Sequence, residues 1–363
     1  MNLLITDICN KECPYCFAQD KVAIGAQVSK ANRKNITLEN VEKYLDFLEA
    51  GDDKVFKILG GEPTVHPQFN TIAQMGLDRG LDVTVFTNGI WSKKVLDFVE
   101  ADNSGRLNFV VNINEPKLQT DNENRKQHES LNIMRSRGMI SFNIYRPGFD
   151  MLFTADLINR YELKREIRLG LAHPIVNIDV DFPQDNELKI IGKSLVEQMR
   201  VLEKQDILGE FDCGFPMCMF EEEDYAYLHT CSKNGFRSTC NFIVDVGVNL
   251  DAWPCFPLSE VANVEIKNFE SGRHLLHHYQ KTLAPVRNMG SLDYCQECKY
   301  HKRGQCCGGC TGRTLISWQS QGDSSLVQKL KGNTPGVVQS YNPVVARKDN
   351  VHVLKPVNIN AKI

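Results

Sequence analysis

The chain has 363 residues, 42% apolar and 24% charged, which fits two domains, or one large α/β domain with an appendage, and excludes bulk disorder. Its 45 acidic and 42 basic residues leave a net charge of −3, so composition points to neither nucleic acid nor an anionic membrane as partner. The start, MNLLITDICNKEC, lacks a cationic stretch, and no apolar run reaches the ~18 residues of a membrane span. The expected location is cytoplasmic.

Leu3–Thr6 reads as a first strand. Lys54–Leu59 (KVFKIL) is a β-type run ending in Gly60-Gly61, and Phe69, Ile72, Ala73 and Gly76 then follow at helical spacing. Leu81–Thr87 alternates apolar and polar residues and stops at Asn88-Gly89, a turn signal. Trp91–Val99 reads as helix. Leu107–Ile113, Ile140–Tyr145 and Ile167–Leu171 read as strands, with helical patterns near 123–136 and 152–163 between them. In 185–203, Leu188, Ile191, Leu195, Met199 and Leu202 form one apolar helix face. Strands alternating with helices predict βαβ units and a parallel sheet. About six units precede residue 205, too few for a closed eight-stranded barrel. The expected fold is therefore α/β, a partial (β/α)6 TIM-like barrel over 1–205. A small cysteine-rich domain is expected over 206–317 and a tail of unassigned packing over 318–363. In parallel α/β folds ligands are met by loops at the carboxyl ends of strands, which is where Cys9–Cys16, Gly60–Pro63 and Asn88-Gly89 fall.

Thirteen cysteines is a high number for a cytoplasmic chain, and an odd number cannot all pair. Three lie at Cys9, Cys13 and Cys16. None follows until Cys213, and ten then fall between 213 and 310. Metal or cluster ligation is the reading this distribution favours. Three thiolates on one short loop can each hold one iron of a [4Fe–4S] cube, leaving the fourth iron open for chemistry.

Cys9-x3-Cys13-x2-Cys16, with Tyr15 just before the third cysteine, resembles the signature of the radical S-adenosylmethionine (SAM) superfamily. Gly60-Gly61-Glu62-Pro63 is similar to that family's GGE-type motif after strand 2, and Thr87-Asn88-Gly89 to its strand-3 ending. The resemblance covers about the first 205 residues. It implies a cluster whose open iron chelates SAM, with Gly60, Gly61, Glu62 and Pro63 near the methionine amino group and Tyr15 near the adenine. Asn88, Asn112 and Arg146, at or after later strand ends, are the further SAM-contact candidates. It also implies reductive cleavage of SAM to methionine and a 5′-deoxyadenosyl radical that abstracts a substrate hydrogen. The electron would come from a donor such as flavodoxin or ferredoxin.

Cys240-x14-Cys255 followed by Cys295-x2-Cys298-x7-Cys306-x3-Cys310 resembles the SPASM extension of radical SAM enzymes, which binds auxiliary [4Fe–4S] clusters. Leu250 stands where that family's turn before Cys255 usually has glycine. By resemblance, Cys231, Cys240, Cys255 and Cys310 hold a first auxiliary cluster, and Cys295, Cys298 and Cys306 part of a second. No cysteine follows Cys310, so the usual last ligand is missing. Cys213, Cys218, Cys307, a non-cysteine ligand or an open iron would have to replace it, or only one auxiliary cluster forms, as in twitch relatives. Two are expected over one. Cys295, Cys298, Cys307 and Cys310 also read as a compact four-thiolate zinc site.

Other features are read as structural. Glu221–Asp224 is a solvated acidic run, His274, His277 and His278 lie on a helix surface, and Trp253 and Trp318 pack. His66 and His173 point toward the expected site. The function expected is oxidative modification or cross-linking of a peptide, of the kind that matures ribosomally made precursors. A first strand near residue 3 leaves no room for an N-terminal peptide-recognition domain, so a separate recognition protein or a direct barrel contact is implied. The alternatives are oxidation or rearrangement of a small polar metabolite, and an iron–sulfur or zinc protein without SAM chemistry.

Overall fold

The computed structural model describes residues 1–16, 23–24, 34–175, 180–259, 261–287 and 289–320. Among them one ten-stranded sheet runs through the molecule. Its strands in chain order are β1 (Asn2–Leu4), β2 (Val55–Leu59), β3 (Asp82–Thr87), β4 (Leu107–Asn112), β5 (Gly138–Ile144), β6 (Glu166–Leu171), β7 (Leu208–Phe211), β8 (Asp245–Val246), β9 (Asp251–Trp253) and β10 (Val264–Glu265). Strands β1 to β7 are parallel and lie side by side in chain order. The helices that return the chain are α1 (Leu38–Ala50), α2 (Phe69–Asp78), α3 (Lys93–Ala101), α4 (Asp121–Met134), α5 (Phe153–Tyr161) and α6 (Leu188–Glu203). The sheet ends at β7 on one side and β10 on the other, so the barrel is open, as expected.

The predicted elements are present with shifted ends. The first strand stops at Leu4, and Thr6 makes only an isolated bridge to Asn35. The helix expected from Trp91 starts at Lys93, because Trp91 turns inward, 2% exposed, and donates Nε1–H to Thr87 Oγ1 at 2.9 Å. Two elements are additions. Helix α1, capped by Thr37 and burying Val41, Tyr44, Leu45 and Leu48, makes the first crossover. Strand β7 is a seventh parallel strand just past residue 205.

The cysteine-rich part is built onto the same sheet. β8 lies parallel to β1, and β9 and β10 extend that edge antiparallel. The turn before β9 holds Leu250 at φ 65°, so the left-handed geometry that glycine usually provides is kept with a leucine, at a conformational cost of about 1–2 kcal/mol. Glu221 caps α7 (Glu222–Thr230), and the acidic run fills that helix's first turn, where negative charge opposes the positive end of the dipole. Glu222 also pairs with Lys299 at 3.2 Å. α8 (Gly272–Arg287) carries the three histidines; His274 pairs with Glu270 and His278 packs on Phe269. A one-turn helix, α9 (Lys299–Lys302), precedes α10 (Thr311–Ser320). Arg313 of α10 binds Asp185 at 2.5 Å and the Pro183 carbonyl at 2.6 Å, so α10 is fastened to the segment leading into α6. The tail readings beyond Ser320 and the Trp318 side chain lie outside the described residues. No described helix is long and apolar enough to cross a membrane.

Candidate active site

The strands alternate buried and half-buried positions. Phe56 and Ile58, then Val83 and Val85, face the helices and are buried. The opposite face of β4, β5 and β6 carries Asn112, Ser141, Asn143 and Arg168. Asn112 pairs in register with Ser141, and Ser141 with Arg168. Asn143 Nδ2 donates to Asn112 Oδ1 at 2.7 Å, Arg168 donates to Ser141 Oγ at 3.1 Å, and Arg168 forms an ion pair with Asp212 beyond β7. This is a polar lining on the inner wall of the open barrel. Apart from Asn112 these residues are not among the sequence candidates. Their signal is a polar side chain at alternate positions of otherwise apolar strands.

The cysteine loop lies directly beyond β1 and rests on the turn after β2. Gly61 N–H donates to the Thr6 carbonyl at 2.9 Å, and Glu62 N–H to the Ile8 carbonyl at 2.8 Å. A Cβ on Gly60 would come within 2.7 Å of the Thr6 oxygen, and one on Gly61 within 2.4 Å of the Ile8 oxygen. Both glycines are therefore demanded by the approach of one backbone to another. Glu62 is 1% exposed. One carboxylate oxygen accepts from Thr64 N–H, Thr64 Oγ1 and Thr87 Oγ1, and the other from Asn88 N–H at 2.6 Å. Burial nonetheless raises its pKa. Glu62 thus locks the β2 turn to the end of β3. Asn88 Nδ2 donates to Asn10 Oδ1 at 2.8 Å, which ties that end to the cysteine loop. Pro63 opens a short 3-10 turn behind Glu62. His66 is spent structurally, with one ring nitrogen against the Ile36 carbonyl and the other accepting Gln68 N–H. A cavity of 290 Å³ lined by Asn10, Thr64, His66, Ile90, Trp91 and Lys94 adjoins this lock, and none of the three loop cysteines lines it.

Tyr15 is 5% exposed and stands over the ends of β4 and β5. Its hydroxyl donates to Asn114 Oδ1 and accepts from Asn112 Nδ2 at 3.0 Å, and its ring lies 5.0 Å from that of Tyr145. Arg146 donates to Tyr145 Oη at 3.0 Å and pairs with the buried Glu115 at 3.3 Å. Asn114 and Glu115, in the Asn-x-Asn-Glu run leaving β4, complete this wall. Asn114 also points its amide at Cys13 Sγ, 3.7 Å away.

Burial pushes Cys9 up to about 12, with Glu62, Cys16 and Cys13 adding to the rise, and burial raises Cys13 as well. Three half-buried thiols whose ionised forms repel one another suit a cationic centre, and a cluster's irons meet that requirement. Leu4, Trp253 and Phe256 pack together against Cys9 and Cys16, so Trp253, two residues before Cys255, and Phe256, just after it, roof the first cysteine loop.

The remaining cysteines fall into groups. Burial raises Cys213, Cys255 and Cys310, and the next largest causes are their charges on one another and that of Cys240. Cys218 is raised by burial, then by Cys306 and Cys298. Cys295 is pushed up to about 11 by burial, then by Cys218 and Cys306. Cys231 stands elsewhere, at the end of α7, where burial pushes it up to about 11 and Tyr227, Glu203 and Arg200 are the side chains that act on it. Cys307 accepts Cys240 N–H at 3.0 Å, and its thiol faces the Gly309 carbonyl at 3.1 Å. Cys295, Cys298, Cys307 and Cys310 do not form one compact set, because Cys310 keeps company with Cys240 and Cys295 with Cys218. Among the described residues no three His, Cys, Asp or Glu side chains converge on a single-ion position. His173, beyond β6, is buried against Gly214 and Cys213 and pushed down to about 3, first by burial and then by Arg313.

Residues 3–145 match the Radical SAM superfamily model. A GTP 3′,8-cyclase of Alkaliphilus oremlandii is 30% identical over 117 residues, and the matched stretch spans 34% of the cyclase. An S-adenosylmethionine-dependent nucleotide dehydratase of Flammeovirga pacifica is 24% identical over 242 residues, 66% of this chain and 74% of the dehydratase. Two solved structures share the fold. Streptococcus suis SuiB bound to S-adenosylmethionine has a TM-score of 0.58 at 15% identity, over 87% of this chain and 73% of SuiB. Native anSMEcpe with bound AdoMet and Kp18Cys peptide has a TM-score of 0.56 at 14% identity, over 85% of this chain and 88% of anSMEcpe.

Proposed function

From the premise that this chain is a radical SAM superfamily enzyme, carrying that domain over residues 3–145, we propose that it oxidatively modifies a peptide. The observation that carries the proposal is the position of the Cys9–Cys16 loop, locked onto the Gly60–Glu62 turn at the mouth of an open barrel and roofed by the residues around Cys255. Cys9, Cys13 and Cys16 would hold a [4Fe–4S] cluster. Gly60, Gly61, Glu62, Pro63 and Asn88 would line the methionine end of SAM, and Tyr15, Asn112 and Arg146 its nucleoside end. Bound there, the cofactor pair supplies one electron that splits SAM into methionine and a 5′-deoxyadenosyl radical, which removes a substrate hydrogen.

The chain's own work is positioning and exclusion of water. Glu62 accepts four hydrogen bonds and fixes the β2 turn against β3. Tyr15, held by Asn112 and Asn114, closes the side next to Cys13. Trp253 and Phe256 shield Cys9 and Cys16. Asn143, held by Asn112, and the Arg168–Asp212 pair would offer polar groups to the substrate. The further cysteines would hold auxiliary clusters, one or two in number. The electron donor would be a flavodoxin or ferredoxin, and a separate protein could deliver the peptide.

A peptide substrate draws support from SuiB, whose structure is also known bound to the precursor peptide SuiA, and from the peptide-bound anSMEcpe. The nucleotide dehydratase favours a second reading, a small polar metabolite. The test supplies reconstituted enzyme, SAM and dithionite with either a short peptide encoded beside the gene or a set of nucleoside triphosphates. A peptide losing two hydrogens per 5′-deoxyadenosine supports the first reading. Turnover of a nucleotide with the peptide untouched replaces it with the second.

A further inference from the structure

The geometry points to Cys213 and Cys218 as the residues that complete two separate auxiliary clusters, one held by Cys213, Cys240, Cys255 and Cys310 and the other by Cys218, Cys295, Cys298 and Cys306. This rests on the reading that the C-terminal cysteines bind clusters, and it goes beyond it by naming the ligands. Cys213-x4-Cys218 (DCGFPMC) is the loop leaving β7 at the carboxyl ends of the barrel strands, as Cys9–Cys16 is the loop leaving β1. It reaches both sets because it runs along the seam between barrel and cysteine-rich region.

The first set is joined through the residues beside its cysteines. Gly309, next to Cys310, lies against the Gly214 carbonyl, next to Cys213, where a Cβ would come within 3.6 Å of that oxygen. Thr311 Oγ1, next to Cys310, contacts Cys240 Sγ at 3.3 Å. Pro257, two residues past Cys255, packs on Gly312, where a Cβ would come within 2.7 Å of it. Cys213, Cys240 and Cys255 are thus each joined to Cys310 through residues next to them in the chain.

The second set is held the same way. Tyr294, preceding Cys295, donates its hydroxyl to Cys218 Sγ at 3.5 Å. Cys298 N–H donates to the Cys295 carbonyl at 3.1 Å. Gly308 N–H donates to Cys306 Sγ at 3.3 Å. Gly308, at φ 81°, lies so close that a Cβ there would meet Cys295 Sγ at 3.0 Å.

The two cysteines left over are occupied differently. Cys231 is at the far end of α7, its sulfur 3.7 Å from the Leu228 carbonyl and its own carbonyl accepting Gly209 N–H. Cys307 braces the seam between the sets through Ser238 and Gly309. The missing last ligand is therefore supplied from upstream, by Cys218, and the first set takes Cys213 in place of Cys231.

The test uses the full chain with Cys9, Cys13 and Cys16 replaced by alanine, so that only auxiliary clusters remain, and reads iron, sulfide and the electron paramagnetic resonance of the reduced protein. About eight irons and two signals are expected. Cys213→Ala should remove or reshape one signal, Cys218→Ala the other, and Cys231→Ala neither. Cys213→Ser and Cys218→Ser, which keep an oxygen ligand, should shift the same signals and cover the case in which an alanine variant fails to fold. Loss of a signal in Cys231→Ala with Cys213→Ala unchanged would overturn the assignment, as would both loop substitutions acting on one signal. A background protein that binds no iron would instead remove the auxiliary-cluster reading itself, and the assignment with it.

Discussion

The barrel and the cysteine-rich region solve the same problem by different means. In residues 2–211 the parallel strands are up to seven residues long, and crossover helices such as α1 and α6 bury regular apolar faces. Leu3, Phe56, Ile58, Val83, Val85 and Ile140 are each fully buried, so the strands are held by apolar packing. In residues 213–320 the strands have two or three residues. Phe236, Leu275, Tyr279 and Leu283 join the common core, but most of the cysteines sit on turns outside any strand. On the proposed function, a cluster in the first region would do chemistry on a finished scaffold, whereas in the second ligation would be part of the scaffold, because metal binding energy is there also folding energy.

The sharpest test of that contrast is the Cys9/Cys13/Cys16→Ala variant. SAM cleavage should fall below detection while far-UV circular dichroism and the melting temperature stay within a few degrees of the parent. Collapse of the barrel in this variant would break the comparison. Next in size, Cys255→Ala with Cys310→Ala should cost the C-terminal region more than about 3 kcal/mol of amide-exchange protection over 240–320, with β2 to β5 unaffected.

A third prediction concerns the lock between loop and turn. Gly61→Ala places a methyl group against the Ile8 carbonyl and should cost about 3 kcal/mol in chemical denaturation, with iron lost from the N-terminal loop before the auxiliary sites.

The smallest effect is a pH dependence at the seam. Asp245 on β8 accepts from Asn2 Nδ2 at 2.7 Å, and burial pushes it up to about 7 from 3.8. Its folded pKa lies above its unfolded value, so its contribution is complete below about pH 4 and is lost as pH rises to about 7. Asp245→Asn should flatten the dependence of the melting temperature on pH across that window. An unchanged pH dependence would mean that the β1–β8 seam does not carry this carboxyl buried.

Much of the barrel was legible because its cues are local. Val83-Thr84-Val85-Phe86 alternates, Leu188 to Leu202 keeps a helical face, and Gly60-Gly61 marks a strand end. The three-cysteine loop was legible for the same reason. Which cysteines Cys213 and Cys218 would join was not, since in the proposed sets the nearest partner lies 27 positions away along the chain and the family resemblance put Cys231 in the first set. Asn143, Arg168 and Asp212 stayed hidden because a lone polar residue in a strand shows its role only once neighbouring strands are in register. Leu250 shows the reverse case, where a residue that looked wrong for a turn is bent into it by the hairpin on either side.

The proposed SAM chemistry is tested most directly by the 5′-deoxyadenosine formed per chain when the anaerobically reconstituted protein is mixed with SAM and dithionite, beside the Cys9/Cys13/Cys16→Ala variant. The parent should form it and the variant none, with the variant retaining its auxiliary iron. A parent that is fully loaded with iron and reduced, yet leaves SAM intact, would contradict that chemistry.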